Sequence, residues 1–159
     1  MTSLAITGAS GAVGSLLNEG DVVTATVNLG EDVIVTGSPQ LKLNIGGTDV
    51  YASYDAANST VRVLKFNYTI LAGQTDANGI SLPANALSFN GGSIKDAAGN
   101  NASFISAAVA DNASYTVDTT AATISTVTLS ATGAVNGWLN STDVVTATVQ
   151  FSEVVNVSG

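Results

Sequence analysis

The chain repeats part of itself at a fixed distance. The seven residues Asp21–Val27 (DVVTATV) return unchanged as Asp143–Val149, 122 positions further along the chain. The flanking matches are Gly11 with Gly133, Leu17 with Leu139, Asn18 with Asn140, and Glu31 with Glu153. A self-match at a domain-sized period is the sign of repeated modules, so it constrains the fold more than any local motif does. We expect one whole module followed by the opening third of a second.

The boundary between the two copies is expected near residue 119. A strand-like segment, Ser114–Asp118, precedes this point and another, Ile124–Leu129, follows it. The link between them is short, so we expect neighbouring modules to touch. The resulting domains are residues 1–119, a complete repeat, and 120–159, the N-terminal part of a second. About 40 residues are too few to bury a sandwich core alone. Three alternatives stay open: poor order, a cut through a longer protein, or completion by another chain.

Composition argues against several classes of function. The chain has no cysteine and no histidine, which removes disulfides, thiolate metal sites and the commonest general base. Four basic residues stand against twelve acidic ones, for a net charge of −8. That charge opposes binding to nucleic acid and to anionic membranes, because both are bound through Lys and Arg. No apolar run is long enough to insert into a membrane, and this segment contains no recognisable signal peptide.

The alternation of apolar and polar residues predicts an all-β domain. Gln40–Ile45 places its three apolar side chains on one face and its polar side chains on the other. Asp21–Leu29 and Thr60–Ile70 are rich in the β-branched and aromatic residues that strands favour. Turns rich in Gly, Asn and Asp separate these segments, and helical spacing is missing. About seven short strands with turns at this spacing predict an antiparallel immunoglobulin-like β-sandwich.

One motif suggests a nucleotide-binding enzyme and is set aside. Ile6–Gly14 (ITGASGAVG) resembles the glycine-rich turn with which short-chain dehydrogenases hold a pyrophosphate. That fingerprint needs a helix after the turn, whereas Ser15–Gly20 is interrupted by glycine and leads into a Val-Thr segment. The corresponding residues of the second copy, Leu129–Gly137, lack the motif. The adjacent carboxylates of Glu31 and Asp32 would point to opposite faces of a strand. We therefore expect no enzyme.

Calcium is the cofactor that the composition favours. It is bound by about six to eight oxygens from carboxylates, amide side chains and backbone carbonyls on loops. The predicted ligands are Asp96 and Asn100 in one loop, Asp118 at the junction between the copies, and Asp143 and Glu153 in the second copy. A cation held by Asp118 and loop acids of a neighbouring module would lock the junction. Asp, Asn and Gly are also ordinary turn formers, so a plain turn stays open for the first loop and is favoured for Asp76–Gly79.

A family resemblance rests on several of these segments together. They are Gly37–Gly46 (GSPQLKLNIG), Leu64–Tyr68, Asp96–Asn100 (DAAGN) and Val117–Thr120 (VDTT). They resemble the tandem immunoglobulin-like repeats of giant bacterial surface adhesins, the extender modules of RTX-type and biofilm-associated proteins. The resemblance covers nearly all of the first copy and the start of the second. It implies a secreted rod of β-sandwiches, often rigidified by calcium at the junctions, that holds a binding tip away from the cell. Ala122 stands where the linkers of the family commonly have proline.

The expected function is therefore structural rather than catalytic. We expect an extracellular or bacterial cell-surface module that serves adhesion or biofilm formation as a rigid spacer or fibre-forming unit. Its expected partners are neighbouring repeats of the same protein. The alternative is a self-assembling filament subunit, in which the incomplete second repeat exchanges strands with another copy through exposed strand edges.

Overall fold

Residues 1–158, the part of the chain that the computed structural model describes, form thirteen β-strands and no helix. The strands are β1 (Ser3–Ser10), β2 (Leu16–Leu17), β3 (Val22–Asn28), β4 (Ile34–Thr36), β5 (Gln40–Ile45), β6 (Thr48–Tyr54), β7 (Val63–Thr69), β8 (Thr75–Asp76), β9 (Leu87–Ser88), β10 (Ser93–Lys95), β11 (Thr116–Asp118), β12 (Ile124–Thr132) and β13 (Val144–Phe151). Within this part of the chain, no helix could cross a bilayer. The predicted all-β class is confirmed.

The chain divides into two compact units, Met1–Thr119 and Thr120–Gly159. The first unit contains β1 to β11, and the second contains β12 and β13. In the first unit, a six-stranded sheet has the order β1-β3-β7-β6-β5-β9, and a three-stranded sheet has the order β2-β11-β8. Strand β10 pairs with β4, and β12 pairs with β13. The six-stranded sheet is antiparallel throughout, whereas β2 runs parallel to β11.

One hydrophobic core joins the three sheets of the first unit. Strand β5 alternates as predicted, with its apolar side chains buried and its polar side chains facing away. Phe66 of β7 is fully buried, and its ring centroid lies 5.7 Å from that of Tyr54. The smaller sheets add Leu17, Ile94 and Val117 to the same core. Sheets that bury one face against a shared core form a sandwich-like architecture.

Two strands are shorter than the residue pattern predicts. Strand β7 begins at Val63 rather than Thr60, because Thr60 forms a turn. The Thr60 hydroxyl accepts a hydrogen bond from the Val63 N–H at 3.1 Å, and the Thr60 N–H donates to the Val63 carbonyl at 2.8 Å. This turn leaves Val61 exposed. Strand β3 covers Val22–Asn28, since the carboxylate of Asp21 takes part in the preceding turn.

The glycine-rich segment Ile6–Gly14 forms strand and turn. Its residues up to Ser10 belong to β1, and Thr7 is an extra residue in the β1–β3 register. The residues that follow contain the short strand Leu16–Leu17 and a turn. A dinucleotide site needs a helix N-terminus directly after the glycines, and residues 11–20 provide none.

Candidate functional site

The predicted ligands Asp96 and Asn100 lie in one loop and bind each other. The Asp96 carboxylate accepts hydrogen bonds from the backbone N–H and the side-chain amide of Asn100, both at 2.8 Å. The Asp96 N–H donates to the Asn100 carbonyl at 3.0 Å. The Asn100 side chain, followed by its backbone N–H, holds the pKa of Asp96 below its ordinary range. The loop is thus satisfied internally, and a cation would use the oxygen lone pairs that these bonds leave.

The other three predicted ligands are distributed over both units. Asp118 is the last residue of β11, where it stands opposite Thr75 and is half-buried. Asp143 and Glu153 belong to the second unit. Among residues 1–158, no group of three or more His, Cys, Asp or Glu side chains is placed to hold a metal ion. Within the same residues, the contact shown between members of the predicted set is that of Asp96 with Asn100.

Asp143 occupies a turn that both copies form. Its Oδ2 atom accepts a hydrogen bond from the N–H of Asn140 at 2.7 Å, and Asp21 accepts the equivalent bond at 2.7 Å. A glycine with positive φ lies against each carboxylate, Gly133 at +100° and Gly11 at +93°. A Cβ atom added to either glycine would stand 2.1 Å from the Oδ1 of Asp143 or 1.8 Å from that of Asp21. Both acids are therefore turn-forming groups, and glycine leaves the room they need.

Glu153 differs from the other predicted ligands because one of its oxygens is shielded from water and also lacks a donor among the described residues. The residue follows β13 and is half-buried. Its Oε1 atom is shielded from water and has no hydrogen-bond partner among the residues described. The equivalent acid of the first copy, Glu31, is exposed. Shielding a carboxylate oxygen without a donor is costly, and a bound cation relieves that cost.

Asp76 holds two turns of the first unit together, a role that the residue pattern does not predict. The residue is 3% exposed, and its Oδ2 atom accepts a hydrogen bond from the Gly46 N–H at 2.8 Å. Its Oδ1 atom accepts a second bond from the Gly79 N–H at 2.9 Å. Gly46 lies in the two-residue turn between β5 and β6. The sequence shows the local Asp76–Gly79 turn, but only the fold shows the contact across 30 residues.

The hairpin of the second unit reproduces the first hairpin of the chain. Strand β13 pairs with β12 as β3 pairs with β1, so that Ala147 stands opposite Leu129 and Ala25 stands opposite Ile6. The apolar residues of β12 and β13 therefore share one face, as those of β1 and β3 do. In the first unit this face is the one that enters the core.

The two hairpins place an extra residue at different positions. The register shifts at Thr7 in β1 and at Ser125 in β12. A direct alignment at 122 residues places Thr128 at the position of Ile6, with Leu129 one residue later. Because the bulge has moved, Leu129 still stands opposite the alanine of its partner strand. A one-residue slip would otherwise turn this leucine to the other face of the sheet.

The two hairpins differ most in how far they are covered. Val23 of β3 is 0% exposed, whereas the equivalent Val145 of β13 is 55% exposed. Strand β3 is paired on both edges, with β1 and with β7. Within residues 1–158, β13 is paired with β12 alone. We call the unpaired side of Val144–Phe151 the open edge of β13. An unpaired edge beside an exposed apolar face is typical of a strand that another chain or element can cover.

Comparisons of the chain with models of known families, with curated proteins and with solved structures find no match.

Proposed function

We propose that the chain is a structural module of a secreted or cell-surface repeat protein, in which immunoglobulin-like β-sandwiches act as spacers in adhesion. One observation carries the proposal: the hairpin and its Asn-to-Asp turn are formed twice, at a spacing of 122 residues. Modules repeated at domain size extend a protein and multiply its surfaces, whereas an enzyme needs one assembled site.

The immunoglobulin-like fold is part of this proposal. Such a sandwich packs two antiparallel sheets of about seven strands over a single core. In support, the six-stranded sheet of the first unit shares its core with strands of the smaller sheets. Five residues, 119–123, separate the end of β11 from the start of β12. A link of that length suits modules in tandem, as in the bacterial adhesin repeats that the sequence resembles.

The surface chemistry also favours a spacer. The chain has four basic residues, and two of them form surface ion pairs: Lys42 with Asp49, and Arg62 with Asp32. Few basic groups therefore remain to bind an anionic substrate, a nucleic acid or a membrane surface. The acidic excess instead suits cations.

Calcium is the cation we propose for the junction between modules. The support is chemical: Asp118 ends β11, the last strand of the first unit, and the shielded Oε1 atom of Glu153 has no donor among the described residues. Calcium takes its ligands from carboxylate oxygens of this kind. Asp96 and Asn100 form the second candidate site, where the carboxylate is already preorganised by amide hydrogen bonds.

The spacer role is tested by small-angle scattering from tandem arrays of residues 1–122 with one to four copies. A rigid spacer predicts that the maximum dimension rises linearly with the number of copies. A flexible chain would show growth closer to the square root of that number. Globular clustering of the modules, or growth of the flexible kind, would overturn the proposal.

Calcium is tested by thermal unfolding in millimolar calcium and in excess EGTA. We expect calcium to raise the unfolding temperature, because a ligand that binds only the folded state stabilises it. Glu153→Gln and Asp118→Ala are expected to reduce this rise. Glu31→Gln is the matched control, since Glu31 is the exposed equivalent of Glu153 in the first copy. If the unfolding curves in calcium and in EGTA were the same, the calcium proposal would be wrong, and the proposed spacer role would be unaffected.

A further inference from the structure

The first unit contains two asparagines that are directly followed by glycine, Asn78–Gly79 and Asn90–Gly91. An asparagine in this position can lose its side-chain amide, because glycine has no side chain to hinder attack by its backbone nitrogen. The fold places the two pairs in opposite environments. We propose that Asn90 is a site of spontaneous deamidation in the folded chain, that Asn78 is protected, and that the change at Asn90 loosens the pairing of β4 with β10.

The reaction needs water and hydroxide as its co-reactants. The Gly91 backbone nitrogen gives its proton to hydroxide and forms a bond to the Cγ atom of Asn90. The bond from Cγ to the side-chain nitrogen breaks, and that nitrogen leaves as ammonia with a proton from water. The product is a five-membered cyclic imide. Water then adds to one of its two carbonyl carbons and opens the ring, which gives aspartate or isoaspartate at position 90.

Asn90 and Gly91 form the exposed centre of a turn between β9 and β10. Their φ angles are +47° and +77°, and the Gly92 N–H closes the turn by donating to the Phe89 carbonyl at 2.7 Å. The Asn90 amide donates to the Ser38 carbonyl at 3.2 Å, and the Gly91 N–H has no acceptor within residues 1–158. A Cβ atom at Gly91 would meet nothing within 4 Å. The attacking nitrogen is therefore open to hydroxide, and the peptide on either side of it has room to rotate.

Asn78 has the same following residue but is held on both sides of the reacting bond. The Gly79 N–H is buried and donates to Oδ1 of Asp76 at 2.9 Å, so loss of its proton would place two negative charges side by side. The Asn78 side-chain amide donates to the carboxylate of Asp111. A Cβ atom at Gly79 would collide with the Asn112 carbonyl, which shows how little room the backbone has to rotate. The folded state therefore opposes ring closure at Asn78.

The turn of Asn90 packs closely against β4, so an altered main chain at this point has a structural effect. A Cβ atom at Gly37 would stand 2.7 Å from the Cα of Gly92, and one at Gly92 would collide with the Thr36 carbonyl. Ser93 stands opposite Thr36, and their hydroxyls are 2.8 Å apart. Isoaspartate adds a methylene to the main chain directly before this contact, whereas aspartate keeps its length. The isoaspartate product is thus the one that loosens β4 and β10. The inference does not depend on the spacer role.

The site is tested by ageing the complete chain in mildly alkaline buffer made with oxygen-18 water. Trypsin then releases residues 66–95 as one peptide that contains both Asn78 and Asn90, and fragmentation in the mass spectrometer reports each position. We expect labelled aspartate and isoaspartate at position 90, in amounts that rise with time and with hydroxide, and almost none at position 78. In concentrated urea both positions should react at similar rates. Equal conversion in the folded chain, no conversion at Asn90, or an Asn78 that stays protected in urea would overturn the proposal.

The structural effect is tested by amide hydrogen exchange in β10. The isoaspartate form, separated by chromatography and identified with isoaspartyl methyltransferase, is compared with the fresh chain and with Asn90→Asp. This variant is the matched control, because it has the charge of the product without the added methylene. We expect faster exchange in β10 for the isoaspartate form alone, with β3 unchanged in all three proteins. Equal exchange in the three proteins would overturn the loosening, and equally fast exchange in Asn90→Asp would assign it to charge instead.

Discussion

Asp143 accepts a hydrogen bond from the backbone N–H of Asn140 at 2.7 Å, which repeats in the second unit a turn that Asp21 forms in the first. The second unit forms this turn although β12 and β13 are exposed along their whole length. The turn is therefore set by local residues and does not need a core above it. Burial of the hairpin, in contrast, depends on other strands of the same unit, such as β7, which pairs with β3 in the first unit.

Gly11→Ala is expected to destabilise the first unit more than Gly14→Ala does. Both glycines have positive φ, but a Cβ at Gly11 would stand 1.8 Å from the Oδ1 of Asp21, whereas Gly14 has open space around it. Backbone strain alone costs about 1–2 kcal/mol, and the clash adds to it at Gly11. Urea unfolding of the two variants measures the difference. Similar losses would show that Asp21 moves aside.

Val23→Ala and Val145→Ala change the same residue of the same seven-residue sequence in two environments. Val23 is 0% exposed and Val145 is 55% exposed. Removing two buried methyl groups at Val23 is expected to lower the free energy of unfolding by about 2–3 kcal/mol. Val145→Ala should change it little at concentrations where the chain is monomeric. A loss of the same size at Val145 would mean that β13 is covered in solution.

The residue pattern predicts the repeat, the all-β class and the burial of β5, because each depends on periods that are visible along the chain. It does not predict the start of β7 at Val63, since the hydroxyl of Thr60 forms a turn in a segment that otherwise alternates like a strand. The residue pattern also does not predict the bulge at Ser125, because a direct alignment of the two copies assumes the same strand register in both. Contacts between residues that are far apart in the sequence can be identified only from the folded structure.

The contact between Asp76 and Gly46 is of that distant kind and leads to a third prediction. Asp76→Ala would leave two backbone N–H groups, of Gly46 and Gly79, without acceptors in a buried or half-buried place. Each unsatisfied group costs about 1–3 kcal/mol, so we expect a loss of roughly 2–4 kcal/mol in the free energy of unfolding. Asp111→Ala is the control, because Asp111 is exposed and bonds to Asn78. Equal urea midpoints for the two variants would contradict the role of Asp76.

The loop of Asp96 and Asn100 predicts how stability depends on acid. Hydrogen bonds from Asn100 lower the pKa of Asp96, so the folded state favours the carboxylate more than the unfolded state does. A lowered pKa gives stability that is present above the unfolded value of about 3.9 and is lost as the pH falls through the folded value.

Asn100→Ala removes the side-chain hydrogen bond of Asn100, the main cause of the lowered pKa, and is expected to raise the pKa of Asp96 toward its ordinary range. The Asp96 carboxyl carbon, followed by NMR from pH 6 to pH 2, reports the midpoint in both proteins. Asp55 is the internal reference. Its pKa is lowered mainly by a hydrogen bond from the side chain of Asn58, so it should not respond to Asn100→Ala. An unchanged Asp96 midpoint in the variant would show that another group stabilises the carboxylate.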